Sequence, residues 1–360
     1  MSRITTAVES SAPEAVAARV GSLRLNGEAE DDKFRYADYL PVWEKQQFPP
    51  VEVIEPYLDP GSRADPSYSR LLLPGTTASE LTPALGIEIK GVQLTDLSPE
   101  GLDDLALLAA ERGLVIFRGQ NFKDAGIPRQ LEIVEHYGKL HIHPTMGHPR
   151  STPCMHVVYR DPKDSTIARY IKPNEVSKIS SVQWHVDHSA ERQPPGITFF
   201  FALTTPPSGG DTLFVSQTEA YERLSDEFKK RLSGLKVVHS NADMLQHSAS
   251  QGGPARFPPL ETLHPLVRTH PVTGKKSLSI HAAQARRIHG YKQEESDYLY
   301  NFLNDVLVKS GDIQARVKYE EGTVVVWDNR VVAHTATYDF KGDERRHVVR
   351  IAAHAETPFE

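Results

Sequence analysis

The chain has 360 residues, of which 39% are hydrophobic and 24% charged, with a formal net charge of -6. This is the composition of an ordinary globular protein with enough apolar material for a sizeable core. No run of Lys and Arg tracks a phosphate backbone, which argues against a nucleic-acid partner. The most apolar stretches, 197–203 and 323–327, are strand-length, whereas a bilayer span needs roughly 18 residues. The single cysteine, Cys154, allows neither an intramolecular disulfide nor a Cys-based zinc site, so a metal would fall to the 16 histidines and the carboxylates.

Residues 1–75 are polar, weakly periodic and end in the turn-rich Asp59-Pro60-Gly61-Ser62 and Asp65-Pro66-Ser67, so they are expected to form a partly irregular N-terminal extension. Acidic Glu9, Glu14, Glu28 and Glu30 interrupt any leader or transit pattern, and a cytoplasmic location is the default expectation. Residues 76–360 are expected to form one domain. It opens with a strand over 86–90 and a helix capped by Ser98, with Pro99 at its first position and Leu102, Leu105, Leu108 and Ala109 on one face. Gly113 ends that helix, 114–117 reads as a buried strand, and a second helix is expected over 128–137.

Thereafter strands dominate. Residues 197–203, 212–215, 236–239, 266–269, 277–280, 313–319, 323–327 and 347–353 are short, β-branched or aromatic-rich, and separated by turn residues. Helices are expected over 217–232, opened by Ser216-x-x-Glu219, and over 294–309. The pattern predicts a mainly β fold with flanking helices, a double-sheet jelly roll or double-stranded β-helix of cupin-like type. Residues 241–260 show no periodicity and are long for an inert loop, which makes them either a lid or a plain surface insertion.

The stretch richest in chemistry is Gln183-Trp184-His185-Val186-Asp187-His188. One His-x-Asp is weak by itself, because roughly one is expected by chance in a chain with this many histidines. On a strand, however, alternate side chains share a face, so His185 and Asp187 can present an imidazole and a carboxylate to one ion. Two His and one carboxylate leave open positions on one side of a metal, the arrangement suited to non-heme Fe(II), whereas structural zinc closes its shell. A zinc hydrolase built on the same residues and a non-catalytic jelly-roll binding protein are the alternatives from other classes.

Six segments, that stretch among them, occur in order over 81–353: Leu140-His141-Ile142-His143-Pro144, Trp184-His185-x-Asp187, Pro194-Pro195-Gly196, Ser208-Gly209-Gly210-Asp211-Thr212, Trp327-Asp328-Asn329-Arg330-x3-His334 and Arg345-Arg346-x3-Arg350. Together they resemble the taurine dioxygenase family (TauD/TfdA-like) of Fe(II)- and 2-oxoglutarate-dependent oxygenases, with an N-terminal extension and a Pro-Thr-Met-Gly loop that look closest to fungal sulfonate dioxygenases. The resemblance implies that His185, Asp187 and His334 hold Fe(II), and that the co-substrate 2-oxoglutarate chelates the metal. Arg346 and Thr212 would then hold its far carboxylate, a task for which a guanidinium fork is suited.

The resemblance also implies hydroxylation of a small anionic substrate by O2, with ascorbate as reductant in vitro. A carbon bearing a sulfonate would yield aldehyde and sulfite. Arg350, on the same strand face as Arg346, and His143 match the residues that bind the substrate sulfonate; His141 is expected to be structural. Met146 and Ser181 stand where taurine enzymes carry a Tyr and an Asn that recognise the amino end of taurine. These departures open the substrate to other sulfonates, sulfate esters, amino acids or small carboxylic acids. A homo-oligomer is compatible with the sequence, and a nucleic-acid or membrane partner is not expected.

Overall fold

The structure is a computed structural model that describes residues 35–161, 184–281, 283–337, 339–340 and 344–360. Its labelled strands are β1 (Thr77–Glu80), β2 (Ile87–Lys90), β3 (Leu114–Phe117), β4 (Met155–Arg160), β5 (Pro195–Thr204), β6 (Thr212–Ser216), β7 (Lys236–Ser240), β8 (Glu261–Pro265), β9 (Val267–Thr269), β10 (Lys276–Leu278), β11 (Ala285–Ile288), β12 (Gln314–Val317), β13 (Val324–Asp328), β14 (Val332–Ala336) and β15 (Arg346–His354). The helices are α1 (Pro99–Arg112), α2 (Ile127–Glu135), α3 (Gln217–Glu222), α4 (Asp226–Leu232), α5 (Ala242–Ser250) and α6 (Gln293–Lys309). The strands and helices make a mainly β protein with helices, as the sequence pattern leads one to expect.

A seven-stranded sheet runs in the order β1-β2-β3-β13-β5-β15-β4, and a three-stranded sheet runs β12-β6-β14. Every pairing in them is antiparallel except β2 with β3. The two-residue alternation of the strands decides which side chains reach which layer. From β13, Val324 and Val326 join the core that contains Leu105 and Ala109 of α1 and Ile133 and Val134 of α2. Val325 and Trp327 instead join Phe214 of β6 and Val332 of β14. One face of the large sheet is therefore covered by helices and the other by the small sheet. On β15, Val349 and Ile351 take the helical side and Val348 the inter-sheet side. The parity of Arg346 and Arg350 is that of Val348, so both guanidinium stems start toward the space between the sheets.

Local signals account for the boundaries. The Ser98 side chain accepts the Gly101 N–H at the start of α1, and Gly113 stops the helix at φ 76, in the left-handed region open to glycine. The expected helix over 217–232 is two helices, because the Ser225 side chain accepts the Phe228 N–H and starts α4 afresh. Residues 241–260 contain α5, a helix concealed by weak periodicity. The N-terminal residues supply Tyr36, Tyr39 and Leu71 to the helical-side core. Strands β1, β4, β8, β11 and β14 lie outside the expected set. No helix among the described residues is long and apolar enough to cross a membrane.

Candidate active site

His185, Asp187 and His334 meet between the two sheets, with one ligand atom from each lying within 4.8 Å of the others. The approach of His185 to His334 is fixed by backbone: His185 N donates to His334 O at 3.0 Å, and His334 N donates to His185 O at 2.8 Å. The single bridge is antiparallel, so two residues 149 apart in sequence become neighbours, with ring centroids 4.2 Å apart. Asn329 fixes Asp187 in the same manner. Its Oδ1 accepts the Asp187 N–H at 2.7 Å while its Nδ2 donates to Asp187 O at 3.1 Å and Pro195 O at 2.9 Å. The Trp-Asp-Asn-Arg motif thus builds the site without touching a metal.

The two residues of that motif flanking Asn329, Asp328 and Arg330, form a brace. Arg330 donates to both oxygens of Asp328, at 2.8 Å and 2.6 Å, and to Glu356 at 3.0 Å and Asp59. His270 reaches Asp328 Oδ2 at 3.0 Å, and its Nδ1 takes the Val272 and Thr273 amides, so Nε2 is the donor. This network holds the turn between β13 and β14 and so the height of His334 on its strand.

The electrostatics suit a divalent cation. Burial alone raises the Asp187 carboxyl, but the Arg350 guanidinium 2.6 Å away outweighs it and keeps the group ionised. Burial, aided by His185, pushes His334 down to about 3, leaving a neutral imidazole with a lone pair to give. Asp187 Oδ2 is buried without a hydrogen-bond partner among the described residues. The neutral His334 imidazole, the His185 ring beside it and an ionised, incompletely satisfied carboxylate are the donor set that Fe(II) takes, so the residues fit the ion.

A cavity of about 720 Å³ opens on this trio and is lined also by Thr212, Arg346, Arg350, His143 and Met146. Ser181 lies outside the described residues. At one end Arg346 Nε and Nη2 reach Gly210 O at 3.2 Å and 3.0 Å. A Cβ on Gly210, which has φ +70, would meet Arg346 Nε at 3.0 Å, so glycine is what lets the guanidinium settle there. Asp211 is braced by Arg316 at 2.6 Å, and the Thr212 hydroxyl accepts from Tyr319 at 2.9 Å. Burial lifts the Tyr319 phenol to about 12, so it remains a donor.

At the other end Arg350 contacts Asp187 Oδ1 at 2.6 Å and His188 Nε2 at 3.2 Å. A guanidinium only donates, so His188 Nε2 accepts and the proton sits on Nδ1, which faces Glu191 Oε1 at 3.8 Å. His188 has φ 50, a left-handed backbone unusual outside glycine, and that turn aims its ring at Arg350. His141 Nε2 lies 2.9 Å from the same Glu191 oxygen. His141, His188 and Glu191 also have metal-like spacing, but Arg350 already places a cation against that cluster.

Sequence reasoning therefore names the trio, both arginines, Thr212, His143 and Met146, all of which the fold brings to one cavity. It misses Tyr319, His188 and Glu191. Tyr319 has a signal in the strand expected over 313–319; His188 and Glu191 depend on a backbone turn that no periodicity encodes.

The description "Taurine catabolism dioxygenase TauD, TfdA family" matches residues 77–352. An alpha-ketoglutarate-dependent sulfonate dioxygenase of Saccharomyces cerevisiae is 44% identical over 334 residues, covering 91% of this chain and 80% of the yeast protein. An alpha-ketoglutarate-dependent dioxygenase of Penicillium expansum is 43% identical, with 90% of each chain covered. Among solved structures, a putative alpha-ketoglutarate-dependent taurine dioxygenase from Burkholderia xenovorans superposes with a TM-score of 0.65 at 25% identity, over 79% of this chain and 94% of that one. The chain belongs to the TauD/TfdA family and is a 2-oxoglutarate-dependent non-heme iron dioxygenase.

Proposed function

We propose that the chain hydroxylates a small organosulfonate, within a jelly-roll domain spanning 76–360, using Fe(II) held by His185, Asp187 and His334. Bound there with 2-oxoglutarate, iron(II) supplies the oxidative decarboxylation to succinate and CO2 that activates O2. Arg346, supported by Thr212, receives the far carboxylate of 2-oxoglutarate. Arg350 and His143 receive the anionic head of the substrate. The observation that carries this reading is the pair of buried guanidiniums four residues apart on one face of β15, flanking the trio, one for each of two anions. The sulfonate assignment draws on the named activity of the yeast relative.

A finer reading concerns the other end of the substrate. Among the described residues that line the cavity, Asp187 is the one carboxylate, whereas Arg286, Arg346 and Arg350 are all cations. An ammonium group finds no counter-charge among them, and Met146 and Met244 offer apolar surface instead. A sulfonate with an uncharged tail suits this cavity better than taurine or an amino acid. The test is succinate release with Fe(II), 2-oxoglutarate and ascorbate, comparing taurine with propane-1-sulfonate, which replaces the ammonium by a methyl. Faster release with propane-1-sulfonate supports the reading, a preference for taurine overturns the tail assignment, and no stimulation by any sulfonate overturns the substrate class.

A further inference from the structure

Arg256 is 1% exposed and heads the large side chains buried to that degree. Among the described residues no carboxylate forms an ion pair with it, Glu44 acting only from beyond contact, and its Nε and Nη2 have no hydrogen-bond partner. A buried cation without a contacting counter-charge opposes folding, and an apolar side chain of similar length would fill the space at lower cost. What the guanidinium does touch is the loop that carries His143. Its Nη1 donates to His143 O at 2.9 Å and Met146 O at 2.7 Å, and its backbone N–H donates to Pro144 O at 3.0 Å.

Gathering three carbonyls on one side of the loop turns its amides the other way. Thr145 N and Met146 N both donate to His143 Nδ1, at 3.1 Å each. An imidazole whose Nδ1 accepts must carry its proton on Nε2 when neutral, and burial keeps His143 neutral. The His143 ring then offers an Nε2–H donor beside the rings of His188 and His156, with centroids 4.5 Å and 4.6 Å away. Arg256 is in turn held by the N-terminal segment: Phe48 N donates to Arg256 O at 2.8 Å, Gln47 Nε2 donates to Ala255 O at 2.6 Å, and Phe48 stacks on Phe257 with centroids 5.6 Å apart.

We propose that Arg256 is a positioning residue for the substrate anion: by drawing the carbonyls of His143, Pro144 and Met146 to itself, it fixes the His143 tautomer that donates from Nε2. The inference rests on the reading of His143 as a head-group contact. It gives the 241–260 segment and the N-terminal residues that strap it a share in substrate recognition, although Arg256 itself does not line the cavity.

The experiment is calorimetric titration of propane-1-sulfonate into the full chain loaded with Mn(II) and 2-oxoglutarate in the absence of O2. Arg256→Met should weaken sulfonate binding by about tenfold or more, the scale of one charge-assisted contact, with 2-oxoglutarate affinity unchanged. Arg256→Lys, which keeps a cation and can reach the same carbonyls, should recover most of the loss. Nitrogen NMR of His143 should show one neutral tautomer in the wild type and a mixture in Arg256→Met. Unchanged sulfonate affinity in Arg256→Met, or equal loss of sulfonate and 2-oxoglutarate, overturns the proposal. Should Arg256→Met fail to fold, Phe48→Ala loosens the same strap from the surface side and should weaken sulfonate binding by about threefold; no change there also overturns it. A wild type that does not bind propane-1-sulfonate overturns the head-group reading, and this inference with it.

Discussion

Two clusters of buried charge lie on either side of Asn329, and they are built from the same residue types. Around Arg330, four carboxylate oxygens of Asp328, Asp59 and Glu356 accept from one guanidinium, and Arg268 and His270 complete the set, with Arg268 Nε the remaining atom unpartnered among the described residues. Around Asp187, the guanidinium of Arg350 reaches one oxygen, and among the described residues the other oxygen is unpartnered, as are His334 Nδ1 and both nitrogens of His156. Satisfied charge braces the fold, and unsatisfied charge beside a cavity marks where a ligand completes the shell. Residue type alone does not distinguish the two: Asp328 and Asp187 are both buried aspartates beside an arginine and a histidine.

Substitutions should separate the two clusters by what they lose. The largest effect is expected for Asp187→Ala, which removes one of three protein ligands: turnover should fall to assay background while the thermal transition is retained. Arg330→Leu should do the reverse, destabilising the fold by about 3 to 5 kcal/mol because three buried acids lose the guanidinium they share, as read from urea unfolding. A brace variant that keeps wild-type stability would erase the distinction.

Acid gives a finer test on the brace. Burial alone raises the Glu356 carboxyl, but Arg268 and Arg330 bring it down to about 2 from 4.5. A carboxyl depressed by folding stabilises the protein above its unfolded value and loses that contribution as pH falls toward the folded one. Between pH 4.5 and about 2 the wild type should therefore lose about 3 kcal/mol that Glu356→Gln does not; parallel acid profiles would contradict this. On the site side, Arg346→Ala should raise the 2-oxoglutarate requirement by about ten- to a hundredfold with little change in the substrate requirement. Steady-state titration of each checks it, and a larger change for the sulfonate would reverse the roles of the two arginines.

Much of this was legible because strand periodicity carries it. Arg346-x3-Arg350 shares a face by the period of two, and β13 and β15 follow from their β-branched runs; His185-x-Asp187 does not lie on the strand that its alternation suggests, because His185 makes only a single bridge and Asp187 sits in the turn after it, held by Asn329. The family resemblance supplied His334, which no local pattern could pair with a residue 149 positions earlier. Strand β14, on which His334 sits, was not expected: Val332–Ala336 is short and follows a turn whose shape depends on the Asp328–Arg330 pair. Tertiary contacts also conceal Arg256, which looks like a solvated loop cation in a Pro- and Gly-rich stretch until the fold buries it. The role of His188 rests on a left-handed backbone at a residue that is not glycine, for which sequence gives no signal.

The ligand set can be read directly from anomalous diffraction at the manganese edge, on crystals of the full chain grown with Mn(II) and 2-oxoglutarate under anaerobic conditions. The expected map has its principal peak between His185, Asp187 and His334, with 2-oxoglutarate extending toward Arg346. A principal peak among His141, His188 and Glu191, or a metal bound without His334, would contradict it.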